Sequence, residues 1–369
     1  MTSTAATTHH SEPSPFEAAS AEAFAERTGQ RLDSAAGVLM MGIGHRLGLF
    51  ATMAELPPAT SRQIAERSQL AERYVREWLA VMVTGGVVQY DASRRHYWLP
   101  PEHAACLTPG APLGNLAVYA QLIAMAGAVH EPLLECFRSG AGLDYANYPH
   151  FHSIMAEDSG QTVVAQLFET LSQLVPQQLI RLERGIDVLD AGCGSGRALI
   201  ELARRFPKSR FRGVDFCADA IDSAQKSAAA AGVSNVRFDE VDLSQFSELE
   251  RYDLITSFDA VHDTKDPQQL LQALYRALRA SGVHLMQDIA GSSQLENNLN
   301  MPFAPLLYAI SCVHCTPVSL AQDGLGLGTM WGWETAERML EAAGYSRVER
   351  HLLPHDPMNV WFVSHKQAS

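Results

Sequence analysis

Apolar residues recur at the three-to-four spacing of a helix in the first third of the chain, and as short buried runs separated by helices after Ile186. Leu32, Ala35, Ala36, Leu39, Met40, Ile43, Leu47, Leu49 and Phe50 predict a helix over 32–53, stopped by Pro57-Pro58. Thr60-Ser61 cap a second helix over 62–67. A third runs over 71–83 and ends at Gly85-Gly86. Two short strands, 87–90 and 96–99, flank the polar loop 91–95. Three helices and a hairpin in this order predict a winged helix. Beyond Pro100-Pro101, the segments 113–138 and 151–184 read as long helices around a Gly/Tyr/Asn-rich loop at 140–149.

After Ile186 strand and helix alternate, the pattern of a doubly wound α/β sheet. The predicted strands are 187–190, 210–215, 236–241, 252–256, 283–288, 346–353 and 360–365. Only 354–359 separate the last two, so they form an antiparallel hairpin at one edge. The stretch 291–332, before a last helix at 334–343, is too long for a simple connection and predicts a lid or a pocket wall.

Composition narrows the picture. A chain of 369 residues with 47% hydrophobic residues has core for one large or two medium domains. The expected divisions are a mobile tail at 1–30, a winged-helix dimerisation domain at 31–105, a helical linker and lid at 106–180, and the sheet domain at 181–369. The tail has no apolar signal segment, and Cys106, Cys136, Cys193, Cys217, Cys312 and Cys315 are scattered, which predicts a reduced, cytoplasmic protein. The apolar run 116–129 is shorter than the roughly 20 residues that span a bilayer, so no membrane partner is expected.

A winged helix raises the question of DNA. From Leu32 to Glu102 there are seven basic residues against seven acidic ones, and Glu72 and Glu77 sit beside Arg73 and Arg76 on the would-be reading helix. With a net charge of −13, nucleic acid is not the expected partner, and a homodimer is.

The chemistry centres on Ile186–Arg197, which reads I-D-V-L-D-A-G-C-G-S-G-R. A strand ends in Asp190, glycines follow at 192, 194 and 196, and a helix begins. Glycine admits positive φ and close approach of a ligand to backbone, and the helix start offers free N–H groups. The spacing is neither G-x-G-x-x-G nor a P-loop. Later strands also end in acids: Asp215 before Phe216, Asp242 before Leu243, and Phe258-Asp259. Such sheets bind ligands at these strand ends.

These four strand ends resemble class I S-adenosylmethionine-dependent methyltransferases, and with the winged helix they are similar to the small-molecule O-methyltransferases. The resemblance implies a seven-stranded Rossmann-like sheet behind an α-helical winged-helix domain, with S-adenosyl-L-methionine as cofactor. It implies cofactor-binding roles for Asp190, Gly192, Gly194, Gly196, Asp215, Phe216, Asp242, Leu243, Phe258 and Asp259. Asp215 would take the ribose hydroxyls and Asp242 the adenine amino group. The segment from Phe258 to Asp263 is similar to the family's L-H-D-W, with Thr264 in place of Trp. It makes His262 the candidate catalytic base, with a structural or substrate-orienting role as the alternative. The expected reaction is metal-free methyl transfer to a hydroxyl of a small molecule. N- or S-methylation, or a DNA-binding regulator that senses the cofactor, are the other readings. Cys312-x-His314-Cys315 lacks the four ligands of a zinc site and reads as core or pocket lining. His150 and His152 become substrate contacts if 151–184 closes as a lid.

Overall fold

A computed structural model describes residues 17–112 and 114–367. They fall into two compact units, divided along the chain between Pro100 and Pro101. The first unit holds helices Ala18–Arg46, Leu49–Glu55, Ser61–Ser68 and Glu72–Thr84, then the antiparallel strands β1 (Gln89–Asp91) and β2 (His96–Trp98). Thr60 caps its helix as expected: its hydroxyl accepts from the Gln63 N–H, while the Gln63 side chain accepts from the Thr60 N–H. Gly44 is required by packing, since a Cβ there would stand 2.5 Å from the Trp78 ring. The Trp78 indole N–H donates to the Met40 carbonyl at 2.8 Å.

The expected mobile tail at 1–30 needs correction. Its first sixteen residues lie outside the described ones, but from Ala18 the chain is helical. This part of the helix is exposed, so no apolar stripe announces it. Alanine, glutamate and arginine carry it by intrinsic propensity.

In the second unit the two long predicted helices are broken. Ala117–Ala128 and His130–Ser139 meet at a 63° bend. Pro132 has no N–H for the Ala128 carbonyl, so the chain starts a new helix and places the proline in its first turn. The segment expected at 151–184 becomes Phe151–Ser159, a π-helical turn Gly160–Val164, Leu167–Leu174, and Pro176–Arg184 with its proline in the first turn.

All seven predicted strands are present: β3 (Asp187–Ala191), β4 (Arg210–Asp215), β5 (Val236–Glu240), β6 (Tyr252–Phe258), β7 (Leu278–Ile289), β8 (Arg347–Leu353) and β9 (Asp356–His365). Their order is β5-β4-β3-β6-β7-β9-β8; β9 runs antiparallel to both β7 and β8, and the other neighbouring pairs are parallel. The hairpin therefore forms at the edge, with the later strand inserted beside β7. Val188, Leu254, Leu285 and Trp361 fill one core layer, and Leu189, Ile255, Met286 and Phe362 the other. Each such side chain contributes about 1.5–3 kcal/mol on full burial. With both faces covered by helices, the parallel strands have open space only at their ends.

The insertion after β7 contains a helical stretch from Ala304 to Ala321, with a π-helical turn at Ser311–Cys315. By length and composition this segment is apolar enough to cross a membrane, and 44% of it is buried against its own unit.

Candidate active site

The carboxyl ends of β3, β4 and β6, with the segment after β5, open on a cavity of about 870 Å³, roofed by residues from Asp144 to Val164. The glycine loop lies at one end. Gly192, Gly194 and Gly196 all have positive φ, at 79°, 50° and 70°. A Cβ on Gly192 would lie 2.3 Å from the Ala260 Cβ, and one on Gly196 2.4 Å from the Phe238 ring. A Cβ on Gly194 would meet nothing within 4 Å, so the backbone there faces open space.

Asp215 is held by that loop. The Gly194 N–H donates to its Oδ2 at 2.9 Å and the Cys217 N–H to its Oδ1 at 3.0 Å. Burial raises its carboxyl above the ordinary range, against the pull of those two N–H groups. Asp190 is more extreme. Buried, with the Thr256 hydroxyl donating at 2.7 Å, it is pushed up to about 7 by desolvation. Asp242 caps the turn after it: Oδ1 accepts from the Ser244 N–H and hydroxyl, and Oδ2 from Gln245. These bonds hold it below the usual range. Phe216 is 41% exposed, and its ring packs 4.8 Å from Tyr145.

Of the expected cofactor residues, Asp190, Gly192, Gly194, Asp215, Phe216, Asp242, Leu243, Phe258 and Asp259 line the cavity. Gly196 stands behind the loop against Phe238.

The expected base, His262, stands directly behind this wall. It is not part of the cavity wall, and it is 4% exposed. Its Nδ1 lies 2.9 Å from Asp288 Oδ1, and its Nε2 lies 3.1 Å from Asp263 Oδ1. Burial alone would lower its pKa, but the two carboxylates outweigh this and raise it well above the ordinary value. The Nδ1 bond to Asp288 orients the ring, and both carboxylates favour the charged imidazolium. In return, although burial works to raise it, Asp263 is pulled down to about 2 by the His262 charge. Asp288 was not singled out in the sequence. It lies 26 residues on and meets His262 because β6 and β7 are neighbours.

The Cys312-x-His314-Cys315 cluster does not converge either. Cys312 is exposed, while His314 and Cys315 are buried. His314 stacks on Phe151 at 3.8 Å and is lowered to about 4 by burial. Atoms of His262, Asp263 and Cys315 lie within 4.8 Å of one another. Burial pushes the thiol up to about 11, and metal ligation requires a thiolate and a neutral ring.

Sequence reading missed several residues that the fold adds to the wall. Tyr145 donates to Asp263 Oδ2 at 3.4 Å. Asp158 and Arg197 also line the space. His152, which was singled out, lies there with Nε2 3.1 Å from the Cys217 thiol. No motif marks the others.

Residues 182–344 match the family model described as a methyltransferase domain, and residues 35–109 match an Rv2258c-like winged HTH domain. The second unit contains a methyltransferase domain. The chain is similar to methyltransferase ungE' of Aspergillus campestris, 29% identical over 189 residues, covering 47% of this chain and 52% of that protein. It is similar to malonyl-[acyl-carrier protein] O-methyltransferase of Bacillus cereus, 29% identical over 157 residues, with 42% and 52% covered. The matches thus span about half the length of these relatives. Among solved structures, the fold matches mitomycin 7-O-methyltransferase MmcR with a TM-score of 0.67 at 16% identity, covering 95% of this chain and all of that one. It also matches human N-acetylserotonin methyltransferase in complex with its cofactor, with a TM-score of 0.64 at 14% identity and 97% and 100% covered.

The cofactor of this methyltransferase domain is S-adenosylmethionine. The residues present fit it. The open face of Gly194 leaves room against bare backbone, the Asp215 carboxylate is held in place at the cavity wall, and Phe216 offers a half-exposed ring.

Proposed function

We propose that this protein transfers a methyl group from S-adenosylmethionine to a hydroxyl of a small organic acceptor. The observation that carries the reading is one continuous cavity that joins the glycine loop and Asp215 to the Asp259–Asp263 wall under an aromatic roof. The names of the O-methyltransferases to which the chain is similar support a hydroxyl as the acceptor. When bound, the sulfonium supplies an activated methyl group. What this chain adds is alignment, since holding two reactants in line replaces a bimolecular encounter.

Each end of the cavity has its own task in this reading. Asp215 receives the ribose hydroxyls, oriented beforehand by the Gly194 and Cys217 N–H groups. Phe216 and Leu243 cover the adenine. Tyr145, Phe151 and Met155 close over the acceptor and exclude water. His262 is a positioning residue: its charge fixes Asp263 and Asp288 behind the wall. The first unit pairs two copies of the chain, supported by the exposed apolar residues Leu32, Leu39, Ile43 and Leu47.

Calorimetry with S-adenosylhomocysteine, followed by transfer of labelled methyl groups to a panel of phenols, amines and thiols, tests the reading. Micromolar binding and labelled ethers are expected. Absence of S-adenosylhomocysteine binding by the wild type would sink it, and labelled amines or thioethers alone would replace the acceptor class.

A further inference from the structure

The cavity is crowded with acids. Its lining carries eight carboxyl side chains against two cations, Arg197 and Lys265. His152 adds no charge at neutral pH, because burial lowers it. Such a wall suits the sulfonium and the ammonium of S-adenosylmethionine and repels its carboxylate. We infer that Arg197 holds the carboxylate of the methyl donor, and that this contact lets an acidic cavity accept the amino-acid part of the molecule. The inference rests on the methyl-transfer reading above and adds a binding residue to it.

The two cations occupy different places. The Asp242 carboxyl is held low by its bond from the Ser244 hydroxyl, and the Lys265 charge adds to this. Lys265 therefore serves the adenine end. Arg197 follows Gly196 directly and opens the helix Arg197–Arg205. Its guanidinium lies against the roof, since a Cβ built on Gly160 would stand 2.8 Å from Arg197 Nη1. Gly160 is the first residue of the π-helical turn Gly160–Val164, whose Thr162, Val163 and Val164 line the cavity. Arg197 thus stands between the glycine loop and the roof.

Nothing in the protein uses its charge. Arg197 is exposed, lines the cavity, and has no ion pair or hydrogen bond among the described residues. The acids nearest the glycine loop already have other partners: backbone N–H groups fill both Asp215 oxygens, and the Thr256 hydroxyl donates to Asp190.

Local helix energetics do not explain an arginine here either. The positive end of the helix dipole lies at the first turn, so a cation there is unfavourable. The first N–H groups of the helix also have no acceptor within it. An anion between the guanidinium and the helix start satisfies both. A carboxylate fits best, because its two oxygens match the planar fork of arginine with two parallel N–H···O bonds. The consequence is a donor site selective for a free carboxylate as well as for adenosine.

The test uses the full chain, calorimetry, and two ligands that differ in that carboxylate alone: S-adenosylmethionine and its decarboxylated form. No acceptor is added, so binding is read without turnover. The wild type should prefer S-adenosylmethionine by about tenfold, which is about 1.4 kcal/mol. Arg197→Ala should lose about tenfold for S-adenosylmethionine, stay within about threefold of the wild type for the decarboxylated form, and so bind the two alike. Arg197→Lys should keep part of the preference, since it retains the charge without the fork. Lys265→Ala should keep all of it. Equal binding of the two ligands by the wild type would overturn the inference without any variant. So would an unchanged preference in Arg197→Ala, a parallel loss of both ligands in that variant, or a preference that disappears in Lys265→Ala. A wild type that binds neither ligand would instead strike the underlying reading of the cavity.

Discussion

The two ends of the cavity are built on opposite principles. At the glycine-loop end the polar atoms are satisfied before any ligand arrives: both Asp215 oxygens hold backbone N–H groups, and both Asp242 oxygens are taken by the turn that follows. At the acceptor end Asp158 and Asp259 each keep a buried oxygen without a hydrogen bond among the described residues. The first arrangement suits a ligand that never changes, where preorganisation reduces the cost of binding. The second leaves unsatisfied groups that only a fitting acceptor completes, which is how a site rejects the wrong molecule.

This contrast can be broken from either side. The largest effect is expected from Gly192→Val. Its side chain would begin 2.3 Å from Ala260 at a φ of 79°, so the loop must move. S-adenosylhomocysteine affinity should fall more than about a hundredfold, close to 3 kcal/mol, with a lower Tm. Gly194→Ala faces open space and should cost the fold about 1 kcal/mol through its backbone alone.

Next, His262→Ala leaves Asp263 and Asp288 buried without their cation. A loss of about 3–5 kcal/mol in unfolding free energy is expected from chemical denaturation, with S-adenosylhomocysteine affinity preserved where the variant folds. A stable variant that loses turnover alone would return His262 to the role of base.

Asp215→Ala should be milder for the fold and specific for the methyl donor. It removes the partner of two N–H groups and the ribose contact, so calorimetry should show a loss of about ten- to a hundredfold in affinity, each hydrogen bond contributing about 1–1.5 kcal/mol. Asp242→Ala should follow the same pattern more weakly.

The smallest effects lie in the pH dependence of stability, where the two ends have opposite signs. His314, behind the acceptor wall, is depressed to about 4 from an ordinary 6.5. Between those values the unfolded chain binds the extra proton, so this contribution is lost as pH falls from 6.5 towards 4. Asp190, at the methyl-donor end, is raised to about 7 from 3.8, so the folded chain holds the extra proton and stability is lost as pH rises through that window. Thermal melts between pH 5 and about 7 should become less acid-sensitive in His314→Phe and more so in Asp190→Asn. Parallel shifts in both variants would refute the opposed signs.

Much of this molecule is legible in its amino-acid order, and the legible parts share a cause. The seven strands, the Thr60 cap, the glycine loop and the acids at 190, 215, 242 and 259 are local features. Each depends on spacing within a few residues and on the rule that ligands sit at strand ends. Sequence reading failed where partners are distant. The pairing of His262 with Asp288 is invisible until β6 and β7 lie side by side. Basicity, which decides whether a group carries or accepts a proton, is set by burial and neighbouring charge. The chain order determined the glycine loop and the acids at the strand ends, and tertiary packing decided how deeply each is buried and which partners it meets.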